Sequence, residues 1–230
     1  LGQSKNNGNR VSNKYAMPPN LSESTIECTA EQKPIVVLAL ALEYLHRSFS
    51  KDDDSDGDIV VIFTSSVDST HRLARLLQIF WVCCKLGKAD EVVEFSSALS
   101  QTERSALLSR CKARAVSILV CSDGMSRGMD IDAVGTVINY DVPVLAKTYV
   151  HRCGRTARAG KEGKAVSVLK RGQTIHFTKM RSLIHEPQRV TQSTIQKHLV
   201  LDVTQNYSKC VRMLRIVLQN EENGELRRTD

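Results

Sequence analysis

Four short apolar runs constrain this chain most: residues 59–63, 116–121, 134–140 and 165–169, rich in β-branched residues and separated by helical patterns. Runs of this length with β-branched residues read as strands buried on both faces, which in turn means a parallel sheet covered by helices. Ile35, Leu38, Leu42, Leu45 and Phe49 keep helical spacing, as do Leu73, Leu76, Leu77 and Phe80. The alternation predicts a three-layer α/β domain, whose ligands should lie at the carboxyl edge of the sheet.

Charge and cysteine narrow the setting. The 230 residues carry a net charge of +7. Residues 101–171 hold thirteen Lys and Arg against six Asp and Glu, while the remainder holds nineteen of each. The whole excess therefore falls on one stretch, which suggests an anionic partner for that surface. The seven cysteines form no Cys-x-x-Cys pair and no cluster with His at metal-ligand spacing, a pattern that fits reduced thiols acting as small core hydrophobes, with no metal site. The longest apolar run, 35–42, is far too short to span a membrane.

Outside the central alternation, residues 1–22 are rich in Asn, Ser and Lys and contain Pro18-Pro19, which predicts a disordered tether. In the acidic stretch 51–58, Asp52, Asp54, Asp56 and Gly57 copy the opening of an EF-hand loop. The twelfth position would be Phe63, where a bidentate glutamate is required, so calcium is rejected and the stretch is read as a flexible insertion. Residues 191–230 form a C-terminal helical extension. In it Val203, Tyr207, Cys210, Leu214 and Val217 repeat at seam-like spacing, either to pack on their own domain or to dock a protein partner.

Chemistry concentrates in Tyr149-Val-His-Arg-Cys-Gly-Arg-Thr-Ala-Arg-Ala-Gly160. Arg152, Arg155 and Arg158 recur every three residues, a spacing that places guanidinium groups on one face of a helical turn and lets them converge on a polyanion. Arginine suits that task through its permanent charge and flat fork of donors. With His151 the run has the form His-Arg-x-Gly-Arg-x-x-Arg, which resembles motif VI of superfamily 2 helicases, and of DEAD-box RNA helicases in detail. Other segments resemble further motifs of that family in the right order: Val61-Ile-Phe-Thr-Ser-Ser66 resembles motif IV, and Gln101-Thr-Glu-Arg104 the Gln-x-x-Arg element. Ser122-Asp-Gly-Met-Ser-Arg-Gly-Met-Asp130 resembles motif V, and Val137-Ile-Asn-Tyr-Asp-Val-Pro143 the strand and turn between motifs V and VI.

The resemblance implies a RecA-like helicase C-terminal domain over residues 23–190, with a mainly parallel sheet. It implies arginine fingers at Arg155 and Arg158 that reach the γ-phosphate of ATP, and ribose binding at Asp130 with Gly128 permitting close approach. Thr64, Ser65, Arg104 and Ser122 would touch the RNA backbone. His151 and Arg152 would couple the lobes, Arg152 through a local network. No Gly-x-x-x-x-Gly-Lys-Ser/Thr and no Asp-Glu-Ala-Asp occurs, so ATP and Mg2+ are expected to be held mainly by a separate N-terminal RecA-like lobe, and the chain alone to be inactive. Two departures stand out: Ser96-Ser97 replaces the family's usual His-Gly, and Ser122 replaces a frequent threonine. The stretches 94–97 and 30–34 look most like the subgroup acting in large-ribosomal-subunit assembly, which implies a nuclear or nucleolar address. The competing expectation is a non-catalytic RNA-binding or scaffold protein that has kept the fold.

Overall fold

The computed structural model describes residues 16–49, 59–125, 131, 133–184 and 189–226. Seven strands form one sheet: β1 (Leu21–Cys28), β2 (Ile59–Thr64), β3 (Val92–Phe95), β4 (Ile118–Ser122), β5 (Val134–Asn139), β6 (Gly163–Lys170) and β7 (Thr191–Gln192). Their order is β3-β4-β2-β5-β6-β1-β7, and every pairing is parallel. The helices are α1 (Lys33–Phe49), α2 (Val67–Cys83), α3 (Gln101–Lys112), α4 (Ala146–Cys153), α5 (Thr174–Arg181) and α6 (Lys197–Glu222).

Alternation along the central strands sorts the layers. Val60 and Ile62 join a core with Leu38, Leu77 and Phe80, which places α1, α2 and α6 on one face. Ile59, Val61 and Phe63 point the other way, toward Cys111 of α3, and α4 and α5 extend that face with Tyr149, Cys153, Phe177 and Met180. Both faces are covered, as a parallel sheet requires. Serine side chains set two helix starts: Ser66 Oγ accepts from Ser69 N at α2, and Ser100 forms a reciprocal capping box with Glu103 at α3.

The expected α/β class holds, with corrected boundaries. β1 begins at Leu21, inside the stretch read as tether; residues 1–15 lie outside the described residues, as does the acidic stretch 51–58. β1 buries Glu23, whose carboxylate accepts from Tyr149 Oη at 2.7 Å and from Arg181 Nη2. Thr191 and Gln192 pair with β1 rather than opening the last helix.

The α6 stripe packs on its own domain. Val203 and Cys210 are fully buried, with Tyr207 and Leu214 partly buried against α1 and α2. The docking role for this stripe is therefore withdrawn: those side chains already have partners. Burying a valine of this kind contributes on the order of 1.5–3 kcal/mol.

Near its end α6 is fixed by charge. Glu221 Oε2 lies 2.6 Å from His71 Nε2, and Glu221 Oε1 accepts from Arg75 Nε at 2.7 Å. His71 Nδ1 lies 2.7 Å from Glu94 Oε2, and Glu94 Oε1 accepts from Ser96 Oγ. An imidazole held between two carboxylates must carry both protons to satisfy them. The hydrogen bond to Glu94, with that to Glu221, outweighs burial and raises the His71 pKa above 6.5. A raised folded value means the stabilisation is complete below the unfolded pKa and is lost as pH climbs through the folded one. The urea midpoint should therefore fall as pH is raised from about 6 toward 9, by an amount that shrinks in His71→Gln. Equal pH slopes for the two proteins would remove His71 from this account.

Candidate functional site

The winding changes between β2 and β5: the chain leaves β2 toward β3 on one side and leaves its neighbour β5 toward β6 on the other. Crevices at such points collect ligands in α/β sheets. Thr64 pairs with Ser122, and Phe63 with Asn139, so the ends of all three strands lie side by side.

Arg152 of α4 closes this edge from inside. It is 0% exposed, the largest of the fully buried side chains among the described residues. Its Nε donates to Asp123 Oδ1 at 2.6 Å, just past β4. Nη1 donates to Asn139 Oδ1 at 3.2 Å and to the Asp141 carbonyl at 2.5 Å, both at the end of β5. Nη2 donates to the Thr64 carbonyl at 3.4 Å on β2, and the guanidinium lies 5.1 Å from the Phe63 ring centroid. One side chain thus ties three strand ends together. A lysine ammonium, a point charge without the fork, could not reach all of them.

A second network adjoins it. Asp141 Oδ1 accepts from Lys33 Nζ at 2.6 Å, and Oδ2 accepts from Ser65 N and Ser65 Oγ, each at 3.1 Å. Burial pushes the Asp141 carboxyl up, but Lys33 and Ser65 together outweigh it and hold the pKa below 3.8. Lys33 Nζ also lies 4.3 Å from the Tyr140 ring centroid, and burial raises the Tyr140 phenol to about 12. The chain thereby places Ser65, which is exposed, in a fixed turn after β2.

The three arginines do not share a helical face, contrary to the reading from their spacing. α4 stops at Cys153 with Gly154 as its C-cap, so Arg152 is the last of them inside the helix, and it turns inward. Arg155 and Arg158 stand in the turns beyond. Arg155 Nε donates to the His151 carbonyl at 3.1 Å and Arg158 Nε to the Gly154 carbonyl at 2.9 Å. Cations there also complement the carbonyl end of the helix. Thr156 Oγ1 donates to the Gly135 carbonyl at 2.9 Å, which fastens the loop to β5. Ala157 (φ 56°) and Ala159 (φ 52°) are left-handed without being glycine, a strained conformation that a rigid surround must maintain. Gly163 supplies part of that surround: a Cβ there would come within 2.3 Å of Thr156 Oγ1 and 2.4 Å of Ala157 N.

The remaining expected residues divide. Ser122 closes β4 and is buried at the edge, and His151 is half-buried in the last turn of α4. Thr64 lies at the edge, but its hydroxyl turns into the fold. Its Oγ1 shares a hydrogen bond with Thr70 Oγ1 at 2.6 Å and lies 3.2 Å from Ser66 O and 3.3 Å from Cys121 O, so a phosphate contact from that hydroxyl is withdrawn. Arg152 has no exposed surface to offer another lobe, and its role is the local network. Arg104 Nη2 donates to Ser97 O at 3.3 Å, beyond β3, while its buried Nε has no hydrogen-bond partner. The acids near it are otherwise engaged: Glu103 caps Ser100 N at 2.7 Å, and Arg110 bridges Asp90. Gly128 and Asp130 lie outside the described residues. Sequence reasoning missed Asp123, Asn139, Asp141 and Lys33, although all but Lys33 sit in segments quoted as motifs.

A family model described as helicase conserved C-terminal domain matches residues 38–160, more than half of the chain. The chain is 40% identical over 188 residues to a Dictyostelium discoideum protein named probable ATP-dependent RNA helicase ddx51, covering 75% of this chain and 33% of that protein. It is 33% identical over 220 residues to the Homo sapiens ATP-dependent RNA helicase DDX51, covering 96% and 30%. The fold matches the E. coli DEAD-box protein SrmB, solved bound to regulator of ribonuclease activity A, with TM-score 0.59 and 25% identity over 78% of this chain and 93% of that one. The chain spans about a third of the length of these two relatives. Ordered motifs, an all-parallel sheet and these matches agree: the chain belongs to the helicase conserved C-terminal domain family and is a RecA-like helicase lobe.

Proposed function

We propose that this lobe serves an ATP-dependent RNA helicase of the DEAD-box type, in which ATP hydrolysis drives separation of short RNA duplexes or remodelling of RNA–protein particles. The observation that carries this reading is the pair Arg155 and Arg158, each tethered through Nε to a helix-end carbonyl on a loop fastened beside the buried Arg152. Phosphoryl transfer needs charge compensation more than covalent chemistry, so guanidinium groups aimed from a second lobe can govern the rate. In this reading ATP and Mg2+ are held mainly by an N-terminal RecA-like lobe. Gly128 and Asp130 meet the ribose, and His151 couples the lobes.

Ser65, Ser122 and Arg104 supply the RNA side, at the carboxyl ends of β2, β4 and β3. Hydroxyls and a guanidinium bind phosphate oxygens without reading bases, so recognition is largely independent of sequence. A role in assembly of the large ribosomal subunit, with a nucleolar address, accords with the resemblance of 30–34 and 94–97 to that subgroup. The scaffold alternative has no use for two arginines held on a strained loop.

The 230 residues alone should hydrolyse no ATP, with or without RNA; turnover by the purified chain would contradict the lobe assignment. In the protein carrying both lobes, Arg155→Ala and Arg158→Ala should each lower RNA-stimulated ATP turnover at least about a hundredfold, with far smaller effects on ATP affinity. Lysine at either site should rescue poorly and leave the melting temperature unchanged. Arg152→Lys should behave oppositely, lowering stability by several kcal/mol because buried acceptors lose their donors. Parallel melting curves and steady-state rates separate the two classes.

Arg104→Ala should weaken RNA binding to a similar extent for two unrelated sequences. It should reduce the slope of log affinity against log salt by about 0.7 for single strands. Titration at three salt concentrations checks this, and an unchanged slope with unchanged affinity would leave Arg104 a structural residue tied to Ser97.

A further inference from the structure

Three thiols and a thioether meet where α6 crosses α2. The two helices run antiparallel, since Glu221 of α6 meets His71 and Arg75 near the start of α2 while Met213 meets Cys83 at its end. Cys83 Sγ donates to Met213 Sδ at 3.6 Å. Cys210, one turn before Met213, is fully buried in the core against which Cys83 and Cys84 pack. Cys84 caps α2 beside them. Cys83 and Cys84 are half-buried, and all seven cysteines are free thiols. Among the described residues no group of three His, Cys, Asp or Glu side chains is placed to hold a metal ion. Sulfur atoms gathered without a coordination geometry suit pairwise redox chemistry better than metal binding.

We propose that Cys83 and Cys210 form a redox-responsive pair that a hydroperoxide converts into a disulfide, fastening α6 covalently to α2. Cys83 is the member open to solvent, so hydrogen peroxide meets it first. Its thiolate attacks one peroxide oxygen, the O–O bond breaks, and the departing hydroxide takes a proton to leave as water. Cys83 is then a sulfenic acid, two electrons more oxidised. The Cys210 thiolate attacks that sulfur, the S–S bond forms and the S–O bond breaks. The second hydroxide takes the proton that Cys210 released and leaves as water. Two thiols and one hydrogen peroxide thus yield one disulfide and two waters.

The order of events follows the burial. Cys210 is closed to solvent and its thiol is pushed up to about 11 by burial, so it resolves the sulfenic acid rather than meeting peroxide. A Cys83–Cys84 bond is disfavoured because successive residues at a helix end point roughly 100° apart. The proposed cross-link encloses most of the domain between its two ends, so it restricts the unfolded chain strongly. It therefore acts on the same element that the Glu221–His71–Arg75 cluster anchors, at the opposite end of the contact.

The test treats the chain with hydrogen peroxide, blocks remaining thiols with N-ethylmaleimide, and maps the digest by mass spectrometry without reduction. A peptide pair joined through Cys83 and Cys210, two hydrogens lighter than the separate peptides and released by dithiothreitol, is the expected result. Cys84→Ser should retain the link and Cys83→Ser should abolish it. The oxidised chain should also show a higher urea midpoint than the reduced chain, a difference erased in Cys83→Ser, whose half-buried site tolerates the change. N-ethylmaleimide labelling of both Cys83 and Cys210 after a peroxide dose that converts Met213 to its sulfoxide would overturn the proposal. So would a link that survives Cys83→Ser, or one found only between two chains as a doubled mass.

Discussion

A single buried guanidinium holds the working edge of this lobe in register. Arg152 takes a formal charge to a site with no solvent exposure, a placement that is costly unless every donor finds an acceptor. The acceptors come from three strand ends that are remote in sequence: Thr64 after β2, Asp123 after β4, and Asn139 and Asp141 after β5. The requirement runs both ways. The strands must finish at these heights for the charge to be satisfied, and the charge penalises any shift of one strand end against another. Asp141 extends the constraint outward, since it shares its backbone with the Arg152 network and its carboxylate with Lys33 and Ser65.

The same logic recurs on the flanks, where buried charges fix elements that apolar packing alone would let slide. Glu23 on β1 joins α4 through Tyr149 and α5 through Arg181. Glu221 joins the end of α6 to His71 and Arg75 on α2, and His71 carries the link on to Glu94 of β3. Leucine and valine stripes hold α6 against the domain, but such contacts are non-directional. The carboxylate specifies the register at which the helix comes to rest.

What the sequence revealed, and what it hid, divides along these lines. β2 is legible because uninterrupted Val and Ile are compatible with little besides a strand covered on both faces, and α1 and α2 because their leucines keep helical period. β1 is illegible by the same criteria: Leu-Ser-Glu-Ser-Thr-Ile-Glu-Cys carries a glutamate at an inward position, which looks wrong until Tyr149 and Arg181 arrive from far along the chain. β7 is too short to carry any pattern. Among the site residues, motif spacing singled out three arginines but not how they divide. Three-residue spacing suggested one helical face, whereas the helix ends between Arg152 and Arg155, because Gly154 caps it and Gly163 leaves space for the following loop to settle. The inward turn of the Thr64 hydroxyl is equally invisible, since it depends on Thr70, which only the turn into α2 brings near.

That division of the arginines bears on how such a lobe can act. A guanidinium expected to neutralise charge on a phosphate should be immobile before the phosphate arrives, because ordering a long flexible side chain at the moment of reaction adds to the barrier. Arg155 and Arg158 approach this state through their backbone bonds. Each Nε is directed at the carbonyl four residues earlier, so the plane of the guanidinium follows the loop rather than solvent. The loop in turn is fixed by Thr156 on β5 and by two alanines in left-handed conformations. Arg152 secures the helix end from which the loop springs. One arginine is thus spent entirely on structure, and its two neighbours in sequence inherit the rigidity it creates. The strain at Ala157 and Ala159 is tolerable only because that anchor is strong.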